Sequence, residues 1–195
     1  MTKKELVWRE ILRQTIENKK LEFTQKQLAE RFGLSLSTVF NALKIPRETG
    51  AVEVSGRNFI VRDSEKFLYI WATHRNLKKE IIYKTRAALS PQEAEGVMPP
   101  AAIFACYSAY RKKYREAPAD YDTVYVYADE ATLAEIKKRF PFENGRPNIF
   151  VLRADSFLRE FGAITPDAQT FADLWNLPEW YARDFIAALK RKMFE

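Results

Sequence analysis

The sequence predicts an α+β chain in which an N-terminal winged helix-turn-helix domain is followed by a compact mixed α/β C-terminal domain. Three observations predict it. Residues 24–44 carry the signals of two short helices around a glycine turn, and residues 51–61 carry two short β-prone runs. Residues 101–195 then mix helical and strand patterns. The expected division is 1–63 for the winged helix, 64–90 for a helical connector and 91–195 for the second domain.

The first helix should begin after Thr2, which forms a capping box with Glu5, and end near Lys19. Leu6, Val7, Ile11, Leu12 and Ile16 supply its core face. The helix pair follows. Thr24 is an N-cap with Gln27 three residues on, and Phe23 and Leu28 hold the positions of a hydrophobic staple. Gly33 supplies the left-handed turn, and Ser35 caps the next helix beside a second staple, Leu34 with Val39. That helix should have two faces: an apolar stripe of Leu36, Val39, Phe40 and Leu43, and a polar side of Ser37, Thr38, Asn41 and Lys44. Short hydrogen-bonding side chains plus a cation suit base edges and phosphates; an ordinary solvated helix face is the alternative. Pro46 should stop the helical region. The runs 51–54 and 59–61 then form a hairpin around Ser55–Asn58, with Arg57 at its tip, either touching phosphate or only completing the fold.

Further along, Ser64 should cap a helix through about Arg75, and a Lys- and Arg-rich helical piece should run from Leu77 to Leu89. Residues 90–99 read as a linker because proline, glycine and charge concentrate there. The second domain should contain a helix over 101–114, strands over 123–127 and 148–152, a helix over 131–139, and terminal helices over 168–175 and 179–193.

Charge separates the two halves. Residues 1–90 hold 18 Lys and Arg against 10 Asp and Glu, a balance of +8, while residues 91–195 hold 14 against 16, a balance of −2. A basic N-terminal half fits a polyanionic partner, whose release of counterions drives binding. Cys106 is the single cysteine and His74 the single histidine, so neither a disulfide nor a Cys/His metal cluster is expected, nor any cofactor. Asp120, Asp122, Asp129, Glu130 and Asp155 lack the Gly-Ser turn and strand-end spacing of a two-metal site and read as loop and cap carboxylates. The second-half tyrosines, Tyr107 through Tyr127, read as packing or interface groups. No basic-then-apolar leader opens the chain and no apolar run reaches the roughly 20 residues of a membrane span, so a cytoplasmic protein is expected.

Several segments carry a family resemblance: Phe104-Ala-Cys-Tyr-Ser-Ala-Tyr110, Tyr121-Asp-Thr-Val-Tyr-Val-Tyr-Ala-Asp129, Gln169-Thr-Phe-Ala-Asp-Leu-Trp175 and Trp180-Tyr-Ala-Arg-Asp-Phe185. Together with the N-terminal pattern they resemble AbiEi-type antitoxins of type IV toxin–antitoxin systems. The resemblance implies a non-enzymatic regulator that represses its own operon, shared with a nucleotidyltransferase-like toxin. The linker and second domain are shorter than in typical bacterial members. The DNA-contacting set expected from the residues is Gln25, Lys26, Ser35, Ser37, Thr38, Asn41, Lys44, Arg47, Arg57 and Asn58. One winged helix reads few base pairs, so a homodimer on double-stranded operator DNA is expected. The alternatives are a protein-interaction adaptor and a degenerate nucleotidyltransferase.

Overall fold

The computed structural model describes residues 1–195 apart from Arg57. Helix α1 (Lys3–Asn18) starts at a complete capping box: the Glu5 amide donates to Thr2 Oγ1 and the Thr2 amide donates back to Glu5 Oε2. It ends at Lys19, which takes a left-handed φ of 55°. Strand β1 (Glu22–Thr24), helices α2 (Gln25–Phe32), α3 (Leu36–Ala42) and α4 (Lys44–Glu48), and strands β2 (Val52–Ser55) and β3 (Asn58–Val61) follow. The strands form a three-stranded antiparallel sheet in the order β1-β3-β2, with Phe23 and Phe59 stacked across it at 5.5 Å. Pro46 does not stop a helix as expected. The break falls earlier, at Leu43, and Pro46 sits buried in the first turn of α4, where an amide would have no intrahelical acceptor.

Beyond the hairpin lie α5 (Ser64–His74), a 3-10 turn (Leu77–Glu80), β4 (Ile81–Thr85), α6 (Pro91–Gly96), β5 (Ile103–Ala105), α7 (Cys106–Tyr114), β6 (Val124–Ala128), α8 (Glu130–Arg139) and β7 (Ile149–Arg153). A second 3-10 turn (Leu158–Phe161) leads to α9 (Asp167–Leu174) and α10 (Ala182–Phe194). The second sheet runs β4-β7-β6-β5; β6 and β7 are parallel and joined through α8, and the outer strands are antiparallel.

Three expectations fail here. The basic helix over 77–89 is a 3-10 turn holding Lys78 and Lys79, then strand β4, because Ile81, Tyr83, Lys84 and Thr85 pair with β7, with a register shift at Ile82. The linker over 90–99 holds α6, whose Ser90–Glu93 capping box and Pro91 at the first position are start signals, not breakers. The helix over 101–114 is split: the short apolar run Ile103–Ala105 is buried at every position and pairs with β6. Periodicity cannot tell such a run from a buried helix.

The four-stranded sheet has a core on each face. Tyr125 and Tyr127 of β6 point to one, Val124, Val126 and Ala128 to the other, following the two-residue period of a strand. The second core lies beneath α6 and α8 and includes Ala94, Met98, Ile136 and Phe140. The first runs from Trp8, Val39 and Phe59 through Phe67, Trp71 and Phe171 to Tyr107 and Phe185. It crosses the boundaries expected at residues 63 and 90 without a gap. Residues 64–90, expected as a helical connector, therefore contribute α5 to this core and β4 to the second sheet.

Two buried arginines tie the halves together. Arg75 donates to Asp173 Oδ1 (2.8 Å), Glu5 Oε1 (2.9 Å) and the Tyr127 hydroxyl (2.8 Å). Burial works against its charge, but Tyr127, Asp173 and Glu5 outweigh it and hold the guanidinium protonated. Arg9 grips Asp155 through two bonds of 2.7 Å and reaches Gln169 Oε1 at 3.1 Å.

Candidate nucleic-acid interface

The turn between α2 and α3 is built from its backbone needs. The Gln27 amide donates to Thr24 Oγ1 at 3.1 Å, which is one half of the expected box. Gly33 adopts φ +60°, its amide reaching Glu30 O (3.4 Å) while the Leu34 amide reaches Ala29 O (2.9 Å). This pair of bonds closes the carbonyls left free at the end of α2. Ser35 then caps α3, accepting from the Thr38 amide at 3.2 Å. From beneath, Trp8 Nε1 of α1 donates to Ala42 O at 2.7 Å, while Val39, Ala42 and Leu43 are buried against the core. Helix α3 is thereby fixed with one side facing out.

That outward side differs from the expected one. Ser37, Asn41 and Lys44 are exposed as expected. Leu36 and Phe40, expected in the core stripe, are 56% and 43% exposed. The reason is the narrow arc that a helix of 7 residues turns toward α1: Val39, Ala42 and Leu43 fill it, and Leu36 and Phe40 flank the polar residues instead. The Phe40 ring is covered by the Arg47 guanidinium at 4.8 Å. Ser35 and Thr38 hydroxyls bond each other at 2.8 Å and the Ser35 hydroxyl also meets Ser37 Oγ at 2.9 Å. These two candidates therefore serve the cap first.

Three of the remaining candidates converge. A cleft of ≈ 580 Å³ is lined by Thr24, Gln25 and Lys26 at the start of α2, Leu36 at the start of α3, and Gly56 and Asn58 of the hairpin. Gln25, Lys26 and Asn58 thus share one concave surface with the first turn of α3, although Asn58 lies in β3, paired with Ser55, and not in the turn. Arg57 lies outside the described residues. Lys26 stands 3.7 Å from Glu30 with both side chains exposed, a pairing worth little in water. Lys44 and Arg47 meet no carboxylate among the described residues, whereas neighbouring Arg62 and Lys66 are matched to Glu53 and Asp63. The free cations lie where α3 passes into α4.

Asp155, Asp129 and Asp122 of the second half are engaged in other contacts, and Cys106 is buried. Asp155 holds Arg9, Asp129 caps α8 and pairs with Arg159, and Asp122 accepts from Tyr181 and Thr123. Cys106 is fully buried, and burial pushes its thiol well above the usual range. Tyr107, Tyr121 and Tyr181 pack around Phe185 or one another at 4.8–5.7 Å. No family model matches the chain, and neither a curated protein nor a solved structure does.

Proposed function

We propose that residues 1–63 form a winged helix-turn-helix that binds double-stranded DNA, and that the protein is a transcriptional regulator. The observation that carries this is the convergence of the α2 start, the α3 start and the hairpin on one concave surface, beside Lys44 and Arg47, which pair with no carboxylate among the described residues. Asn41 and Ser37 would meet base edges, and Gln25, Lys26, Lys44 and Arg47 would meet phosphates. The +8 balance over residues 1–90 supports a polyanionic partner.

The antitoxin-like role extends this proposal. It places the protein in the cytoplasm as a homodimer on its own operator, opposite a nucleotidyltransferase-like toxin. Support for it is the sequence resemblance, whose segments lie on β5, α7, β6, α9 and α10, a contiguous packed unit. Among the described residues no helix is long and apolar enough to cross a membrane. The exposure of Leu36 and Phe40 favours a second reading, a protein-docking module using the same face. Selection from a random duplex pool separates the two. A regulator enriches one motif, with half-sites about 10 base pairs apart if the protein is dimeric. A pool that stays random would favour the docking module.

A further inference from the structure

We infer that Leu36 and Phe40 read thymine methyl groups, so that the preferred DNA carries thymine where these side chains face the major groove. This rests on the DNA-binding proposal and names the base chemistry that the α3 face selects. Leu36 and Phe40 are 56% and 43% exposed beside Ser37 and Asn41, on a face otherwise made of hydroxyl, amide and ammonium groups. Phosphates and sugars offer little to an isobutyl or a phenyl group. In the major groove the 5-methyl of thymine is the apolar feature of the base edges, and apolar side chains contact it.

Charge decides between occupants of this face. Lys26 lines the same cleft as Leu36, Arg47 covers the Phe40 ring at 4.8 Å, and Lys44 follows four residues after Phe40. A second copy seated on the same face would set these cations against their equivalents, whereas DNA supplies an apolar methyl inside a polyanionic groove. The geometry also sets the spacing. Leu36 and Phe40 are one helical turn apart, about 6 Å along the axis. Base pairs rise about 3.4 Å each. Side chains that close on a helix lying in the major groove reach base pairs one or two steps apart.

The test uses the full-length protein and the duplex it enriches from a random pool. Each thymine is replaced singly by deoxyuridine, which removes only the methyl, and affinity is read by fluorescence anisotropy. The expected result is two positions, one or two base pairs apart, at which deoxyuridine weakens binding about threefold to tenfold. Leu36→Ala should abolish the sensitivity at one position and Phe40→Ala at the other, while Asn41→Ala keeps both. Both variants alter exposed side chains, and circular dichroism checks their fold. Specific binding with no deoxyuridine-sensitive position would overturn the inference and leave the DNA-binding proposal standing, as would sensitivity that persists in both variants. Variants that dissociate a dimer in light scattering without changing the sensitivity would assign the face to a second copy. No enriched sequence would remove the inference together with the proposal beneath it.

Discussion

In the proposed interface, Asn41 and Lys44 stand for two kinds of contact. Both are exposed, and no carboxylate among the described residues pairs with Lys44. Asn41→Ala should cost about 1–3 kcal/mol on the preferred site and relax discrimination at one base pair. Lys44→Ala should weaken preferred and random DNA alike and lower the salt slope by about one. Titrations of both variants over a range of salt check the pair, and equal losses on both DNAs for Asn41→Ala would remove it as a base reader. A buried carboxylate gives a second test at this scale. Burial pushes Glu10 up, but Gln14, Arg13 and Arg31 outweigh it, and its pKa falls below the ordinary 4.5. A lowered carboxylate pKa stabilises the fold fully above the unfolded value, and that contribution disappears as pH falls through the folded value. Urea unfolding should therefore show stability falling below pH 4.5, with a shallower fall in Glu10→Gln.

The turn joining α2 to α3 is the element on which the interface depends. Gly33 has φ +60° and open space where a Cβ would sit, so substitution there strains the backbone and nothing else. Gly33→Ala should cost about 1–2 kcal/mol in urea unfolding, and a neutral result would show that the turn tolerates another geometry. Such local chemistry was legible in the sequence: Thr2, Thr24, Gly33 and Ser35 all occupy their expected roles. Elements defined by long-range pairing were not. Nothing local in Ile81–Thr85 announces β7 as its partner 64 or more residues later, and Ile103–Ala105 became a strand only by lying beside β6. The misassigned face of α3 has a different cause. Leu36, Val39, Phe40 and Leu43 satisfy a helical stripe, but how much of that stripe is buried depends on the width of α1 beneath it.

Across the whole molecule, the halves share one apolar core and the buried Arg75 cluster, which joins α1, α5, β6 and α9. No sequence pattern marked Arg75 or Arg9 as buried, since arginine is ordinarily a surface residue and their carboxylate partners lie up to 146 residues away. The shared core should make unfolding a single transition, with tryptophan fluorescence and far-ultraviolet circular dichroism coincident; two separated transitions would contradict it. Arg75→Met leaves Asp173 and Glu5 buried without their cation and should cost about 3–5 kcal/mol, shifting both probes together. Such coupling would let events at the second sheet bear on the proposed DNA-binding surface. The most direct measurement is binding of the intact protein to the DNA upstream of its own gene, at two salt concentrations, against excess random duplex. A regulator of the kind proposed stays bound in the presence of competitor and weakens steeply with salt. Binding that the competitor abolishes at both salts would contradict sequence-specific regulation and leave only a basic surface.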